Sequence, residues 1–163
     1  MCWFTRKPEY LEKHTATEDI KVLKFVWEHP DKRKRLSFIS YFRDFVYTIG
    51  NLYETDMNDP TEYQNSIGKW EAAIIDKGFH SYTEDGVEPK VFNSPITIGM
   101  IRVHILLNDI EIDRYLVGQE YLKDLKILKC IIPKGAEYYL NEGGYYVSNK
   151  IIPKAFEDIP KVS

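Results

Sequence analysis

Apolar and polar residues alternate along much of the chain, which is the pattern of strands that bury one face. Alternating stretches, or short apolar runs rich in β-branched residues, are Ile20–Trp27, Phe45–Ile49, Ile101–Leu107 and Leu125–Ile132. Turn residues follow several of them, such as Pro133 after the last. The pattern therefore predicts a protein dominated by β-strands.

The clearest predicted element is a hairpin near the end of the chain. Glu137–Leu140 and Tyr145–Ile152 form two strand-like arms around the turn Asn141–Gly144. Residues 154–163, which follow Pro153, are predicted to be an irregular tail.

One segment has the features of a helix. Asp59 suits the cap position and Pro60 the first helical position. The apolar residues of its buried face recur at spacings of three and four: Ile67, Trp70 and Ile74. Gly68 weakens this prediction, and Gly78 would end the helix.

Residues 108–121 fit either a helix or a strand, and both interpretations stay open.

Length and composition agree with a single domain. The chain has 163 residues, of which 44% are hydrophobic, so wholesale disorder is excluded. We expect residues 1–163 to form one α+β domain that is weighted toward β-structure. Its expected architecture is a mostly antiparallel sheet with the C-terminal hairpin and one or two helices.

Charge and hydropathy exclude several classes of partner. Lys and Arg number 22 against 25 Asp and Glu, so the net charge of −3 does not suit a protein that neutralises nucleic-acid phosphates. No apolar run approaches the roughly 18 residues of a membrane helix, and the N-terminus does not resemble a signal peptide. Cys2 and Cys130 are too few for a disulfide framework and are expected to be free thiols. We therefore expect a cytoplasmic protein without membrane or nucleic-acid partners.

Common catalytic signatures do not occur in the sequence, which lacks the phosphate-binding loop, the dinucleotide-binding glycines and the zinc-protease histidine pair. Its histidines are scattered along the chain: His14, His29, His80 and His104. We predict no metal and no cofactor, and whether the protein is an enzyme stays open.

His80 is the best single candidate for a polar role. It follows Gly78 in a short segment that also carries Ser81 and Tyr82, and such a segment can present an imidazole, a hydroxyl and a phenol to a cleft. In the alternative interpretation, His80 is a structural residue that bonds a neighbouring backbone carbonyl.

Tyrosine is abundant, with 12 residues, and two tyrosine pairs face each other across the predicted hairpin. Because successive strand residues point to opposite faces, one tyrosine of each pair would point outward. Outward tyrosines near lysine and serine could stack on a nucleobase and contact phosphate. Alternatively, the pairs only stabilise the hairpin. The candidate ligand-binding residues are His80, Tyr82, Lys134, Tyr138, Tyr139, Tyr146, Ser148 and Lys150.

Several segments together resemble a known family. They are Met1–Trp3, Glu18–Ile20 with the strand that follows it, Phe45–Tyr53, Gly78–Tyr82, Cys130–Tyr139 and Tyr146–Ile152. In this order they are similar to a family of small uncharacterised proteins of Bacteroidetes and of the phages and prophages of gut bacteria. The resemblance implies an accessory protein of a phage or prophage that binds a ligand or a partner. Residues 93–121 match poorly and are expected to be an insertion.

A weaker resemblance is to the ADP-ribosyltransferase fold, whose members bind NAD in the cleft of a split β-sheet. The Gly78–His80 segment and the late Tyr146–Ser148 segment are similar to that layout. Those enzymes use a late glutamate, whereas Glu137 and Glu142 here occupy hairpin positions.

Three hypotheses follow for the function. The first is an accessory protein that sequesters a small nucleotide-like ligand in a cleft lined by Tyr, His and Lys. The second is an interaction module that binds a host protein through exposed Tyr and Trp. The third is an ADP-ribosyltransferase relative that uses NAD. Homo-oligomerisation is compatible with all three.

Overall fold

The structure is a computed structural model that describes residues 3–28, 33, 36–40, 45–84, 87–88, 91–92, 100–107, 110–117, 125–158 and 161–162. Its regular structure within these residues is β-strand, apart from one 3₁₀ turn at Pro8–Tyr10. The strands are β1 (Trp3–Thr5), β2 (His14–Thr15), β3 (Ile20–Glu28), β4 (Ser37–Ser40), β5 (Val46–Thr48), β6 (Tyr53–Glu54), β7 (Thr61–Gln64), β8 (Trp70–Ile75), β9 (Phe79–Thr83), β10 (Val87–Glu88), β11 (Val91–Phe92), β12 (Met100–Leu107), β13 (Ile110–Val117), β14 (Leu125–Ile132), β15 (Glu137–Leu140), β16 (Tyr145–Ser148), β17 (Lys150–Asp158) and β18 (Lys161–Val162).

Most of these strands belong to one ten-stranded sheet, which we call the main sheet. Eight strands follow the order β2-β15-β16-β9-β3-β14-β17-β6, and β4 and β5 attach to it through β3. Every pair in it is antiparallel. The prediction of a β-dominated and mostly antiparallel protein is therefore confirmed, whereas the described residues contain no α-helix to support the expected α+β class with one or two helices.

The main sheet forks along its central strand, β3. One edge of β3 pairs with β14 along its length. The other edge pairs first with β9, at Val22 and Leu23, and then with β4, from Val26 to Glu28. Lys24 lies between these two partners. One branch of the fork is therefore β9-β16-β15-β2, and the other is β4-β5.

The larger core lies on one face of the main sheet, which we call the inner face. Both branches of the fork contribute to it, together with β14 and β17. Its main buried residues are Val22, Val26, Phe38, Tyr47, Phe79, Leu128, Cys130, Ile132 and Ile151. Because β3 and β14 alternate, every second residue of these strands enters this core.

A smaller core lies on the opposite face, the outer face, of β15 and β16. The three-stranded sheet β1-β8-β7 packs there, and its Trp3 and Ile75 contact Tyr139 and Val147. The indole nitrogen of Trp3 donates a hydrogen bond to the backbone oxygen of Tyr145 at 3.0 Å. The N-terminal strand is thus held against the C-terminal hairpin.

Glu142, in the turn between β15 and β16, fastens the same N-terminal segment. Its carboxylate accepts hydrogen bonds from the Thr5 hydroxyl at 2.6 Å and from the Arg6 amide at 3.2 Å. Partial burial raises the pKa of Glu142, but these hydrogen bonds and the charge of Lys7 outweigh it and hold the pKa below its usual value. The carboxylate is therefore in its bonding, ionised form at neutral pH.

Two small sheets complete the described strands. One is β10-β12-β13, and the other is the parallel pair β11-β18. Strand β13 runs from Ile110 to Val117, so this part of the stretch left open between helix and strand is strand. Of the expected insertion, residues 93–121, only 100–107 and 110–117 are among the described residues.

The helix predicted between residues 59 and 78 is wrong, because this segment is the hairpin of β7 and β8. Asn65 accepts hydrogen bonds from the amides of Ile67 and Lys69 through its side-chain oxygen, which closes the turn. Gly68 has a φ of +80°, which a helix does not allow. In β8 the buried residues are Ala73 and Ile75, at the spacing of two that a strand requires.

Two further predicted boundaries differ from the structure. The second arm of the C-terminal hairpin ends at Ser148, and the chain then enters β17. Strand β17 continues to Asp158 and β18 covers Lys161–Val162, so the described parts of the predicted irregular tail, residues 154–163, are strand. Pro153 is compatible with this strand because a bulge shifts the β14–β17 register beside it, between Lys129 and Cys130.

We expect Gly78→Ala to destabilise the fold strongly. Gly78 has a φ of +143°, and a Cβ at this position would lie 2.5 Å from Cγ2 of the buried Val147. Backbone strain and overpacking together should cost about 2–4 kcal/mol. Gly68→Ala is the matched control, since its φ is also positive but nothing lies within 4 Å of its added Cβ. It should cost about 1 kcal/mol. Urea unfolding of both variants measures the difference, and equal losses would contradict the packing role of Gly78.

Candidate functional site

The candidate ligand-binding residues do not share one surface. Tyr138, Tyr146 and Ser148 point to the inner face of the main sheet, where they are paired or diagonal neighbours on β15 and β16. His80 and Tyr139 point to the outer face, since both flank Val147 in the register. No single cleft can therefore be lined by all of the predicted residues.

His80 contacts a backbone carbonyl. Its Nε2 lies 3.2 Å from the oxygen of Ile75, at the end of β8, and the ring is half-buried. This is the contact that the structural interpretation of His80 predicts. His80 thereby helps to join the small sheet β1-β8-β7 to the main sheet.

Tyr82 and Tyr139 are both buried on the outer face. Tyr82 packs edge-on against Tyr145, with ring centroids 4.8 Å apart. Tyr139 packs against Trp3 at 5.6 Å, and burial raises the pKa of its phenol. Both rings are therefore part of the packing between layers.

The two lysines of the predicted site, Lys134 and Lys150, lie apart from Tyr138 and Tyr146 on the inner face. Lys134 is exposed in the turn before β15, where its amide donates to the Asp19 carboxylate at 2.9 Å. Lys150 begins β17 and pairs with Glu54 at 3.8 Å. Ser148 is fully buried, and its hydroxyl donates to the backbone oxygen of Lys150 at 3.0 Å.

The inner face does bring together three aromatic rings, which we call the aromatic row: His14, Tyr138 and Tyr146. The register pairs His14 of β2 with Tyr138 of β15, and their rings stack with centroids 5.3 Å apart and planes at 25°. Tyr138 and Tyr146 lie diagonally across β15 and β16, with centroids 5.6 Å apart. His14 is exposed and the two tyrosines are half-buried, so the row runs from solvent toward the core.

Two buried polar residues continue the aromatic row across the sheet. Ser81 of β9 is paired with Tyr146, and its side chain is only 1% exposed. Among the described residues its hydroxyl has no hydrogen-bond partner. Strand alternation points Ser81 to the inner face and its neighbours His80 and Tyr82 to the outer one. The next position across the fork, beyond Ser81, is Lys24.

Lys24 is buried on the inner face, although it is charged. It is 8% exposed, and its ammonium donates a hydrogen bond to the backbone oxygen of His80. The ammonium also lies 5.2 Å from the centroid of the Tyr47 ring, a cation–π contact. Burial lowers the pKa of Lys24 to about 8, and the neighbouring Cys130 thiol opposes this shift.

Sequence reasoning missed His14 and Lys24. The pairing of β2 with β15 joins segments more than a hundred residues apart, and no local pattern around His14 indicates it. Lys24 belongs to the alternating strand Ile20–Trp27, on the side of Val22 and Val26, so its inward direction could have been found from that pattern.

The described residues give no support to other chemistry. No group of three or more His, Cys, Asp or Glu side chains among them is placed to hold a metal ion. The two glutamates compared above with the late glutamate of ADP-ribosyltransferases have structural partners. Glu137 forms an ion pair with Lys13 at 3.7 Å, and Glu142 accepts a hydrogen bond from Thr5. None of the described segments forms a helix with the length and apolar character of a membrane span.

Comparisons of the chain with family models, with curated proteins and with solved structures give no match.

We expect Cys130 to be chemically inert while the protein is folded. It is buried in the larger core, and burial raises the pKa of its thiol to about 12, with the charge of Lys24 opposing the shift. In a Cys2→Ser variant, Cys130 is the one remaining thiol. A thiol reagent such as DTNB should not react at pH 8 and should release one equivalent after denaturation. Prompt reaction in native buffer would contradict the buried placement.

The buried Lys24 should make stability depend on alkaline pH. Its pKa is about 8 when folded and about 10.4 when unfolded, so between these values the unfolded state binds more protons and stability rises with pH. Cys130 opposes this above pH 9 because its folded pKa is raised. Comparison with Lys24→Met isolates the lysine contribution. From pH 8 to 9.5 the parent protein should gain roughly 1–2 kcal/mol relative to the variant in urea unfolding. Parallel pH profiles of the two proteins would show that Lys24 is solvated.

Proposed function

We propose that the protein is a binding module that holds a small nucleotide-like ligand against the aromatic row. The observation that carries this proposal is the stacked pair of His14 and Tyr138, in which an exposed ring extends a half-buried one. Of the residues predicted from sequence, Tyr138 and Tyr146 belong to this site.

The row has the properties of a stacking platform. Its rings lie side by side on three adjacent strands, β2, β15 and β16, so their spacing is fixed by backbone pairing. Stacking of a base on an aromatic side chain contributes about 1–3 kcal/mol and does not depend on which base is bound. The net charge of −3 favours a small ligand over a polyanionic nucleic acid.

The biological setting is part of the same proposal. It rests on the resemblance to small proteins of Bacteroidetes and of gut phages and prophages, for which sequestration of a nucleotide inside the cell is a fitting role. A cytoplasmic location belongs to this proposal as well.

Exposed apolar residues on the hairpin of β7 and β8 support a second candidate, an interaction module for a host protein. Ile67 at its tip is 83% exposed, and Tyr63 on β7 is 48% exposed. Strand β7 is at the edge of its described sheet, where an extended segment of a partner could pair with it.

A thermal-shift panel tests the ligand-binding proposal. The panel contains NAD, ADP-ribose, and linear and cyclic nucleotides. A bound ligand at 100 times its Kd stabilises by about 2.7 kcal/mol, which should raise Tm by roughly 5–10 °C. His14→Ala should weaken binding about tenfold or more, because the stacked ring is lost. His14 is exposed, so the variant should fold as the parent does.

Tyr63→Ala is the matched control, since it removes an exposed aromatic ring outside the main sheet. It should leave ligand binding unchanged. If no compound of the panel shifts Tm, or if His14→Ala binds like the parent, the aromatic row is not a ligand site. A host protein that copurifies with the parent but not with Tyr63→Ala would then establish the second candidate.

A further inference from the structure

We propose that Lys24 and Ser81 form an anion-binding end of the aromatic row, so that the ligand is a planar ring joined to a phosphate. This inference rests on the proposed function and specifies the chemical class of its ligand. The ring would stack at His14, Tyr138 and Tyr146, and the phosphate would bind where β9 and β3 diverge.

Ser81 is an unusual residue for a position inside the larger core. Its side chain is 1% exposed and, in the part of the chain that the structure describes, its hydroxyl has no hydrogen-bond partner. An unpaired buried hydroxyl costs about 1–3 kcal/mol, which alanine at the same position would avoid. Nothing in the packing of β9 therefore explains a hydroxyl here, whereas a ligand oxygen would give it a partner.

Lys24 brings a positive charge to the same place without a described counter-ion. An ammonium has three N–H donors, and the described residues provide one oxygen acceptor, the backbone oxygen of His80. The other groups that face it are the ring of Tyr47 from β5 and the Cys130 thiol from β14. The Cys130 thiol is not an anion at neutral pH, because burial raises its pKa to about 12. A bound anion would supply the charge that the site lacks.

The sheet brings Lys24 and Ser81 next to each other and to the row. The register Val22–Thr83 and Leu23–Tyr82 continues to place Lys24 opposite Ser81, and Ser81 is paired with Tyr146. All three residues are on the inner face. Adjacent strands lie about 4.8 Å apart, so roughly 10 Å separates the Tyr146 and Lys24 positions. A nucleoside monophosphate spans such a length between its base and its phosphate.

Solvent exposure decreases from the aromatic row toward Lys24, which matches a ligand with its ring near solvent and its phosphate buried. His14 is exposed, Tyr138 and Tyr146 are half-buried, and Ser81 and Lys24 are buried. The ring end of the ligand therefore lies toward solvent and the charged end toward the ammonium. A neutral nucleoside would contact the rings of the aromatic row but would bring no anion to Lys24 and Ser81.

Calorimetry with paired probes tests the inference: AMP, GMP and CMP against adenosine, guanosine and cytidine. The parent protein should bind at least one monophosphate tenfold or more tighter than its nucleoside, as expected for charge-assisted hydrogen bonds. Ser81→Ala should lose this preference and bind the nucleoside as before. The free Ser81→Ala protein should also have a Tm equal to or above that of the parent, because an unpaired hydroxyl is removed.

Ser37→Ala is the control for a buried serine. Its hydroxyl already shares a 3.0 Å hydrogen bond with Thr48, so the variant should lower Tm and keep the monophosphate preference. Lys24→Met, which keeps the length of the side chain without its charge, should abolish the preference.

The outcomes separate the two proposals. If the parent binds nucleoside and monophosphate equally, or if Ser81→Ala keeps the preference, the anion-binding end is refuted while the aromatic row stands. If neither class of probe binds, and His14→Ala behaves like the parent in the thermal-shift panel, the proposed function fails as well.

Discussion

A buried ammonium, that of Lys24, links the two branches at the point where the main sheet forks. Strand β3 gives one edge to β14 and divides the other between β9 and β4, so a ladder of backbone hydrogen bonds is interrupted at Lys24. The lysine bonds the backbone oxygen of His80 there and lies against the ring of Tyr47. One side chain thus contacts both branches, and satisfies a carbonyl that would otherwise lack a partner at the fork. The cost is a charge in a low-dielectric core.

Around this fork, the alternation of each strand decides which side chains pack between the two sheets and which ones form the aromatic row. The outer face of β9, β15 and β16 is covered by β1 and β8, and its tyrosine and histidine side chains pack between the two sheets. On the inner face, the hairpin's rings leave the core gradually and meet solvent at β2. Among the described residues, the sheet β1-β8-β7 packs on the outer face of this hairpin, whereas its inner face borders the larger core.

The β-strands could be predicted from the sequence, because the alternation of apolar and polar residues is a local pattern that matches the period of a strand and not that of a helix. The helix prediction failed since Ile67, Trp70 and Ile74 matched a helical spacing while Gly68 and Asn65 determined a turn. Of the candidate site, Tyr138 and Tyr146 could be found from composition and alternation. His14 could not, because its partner is set by pairing between distant segments. The predicted set mixed both faces of the sheet because residue type alone does not tell which face is covered.

The pairing of N-terminal with C-terminal strands also governs how the chain can fold during synthesis. Strand β1 is held by Tyr145 and Glu142, β2 pairs with β15, and β3 pairs along its length with β14. None of these contacts can form until the later strand of each pair, roughly 100 residues or more further along the chain, has left the ribosome. Such distant pairing slows folding and leaves apolar strands exposed in the meantime. We therefore expect chaperones that recognise extended apolar segments to bind the nascent chain.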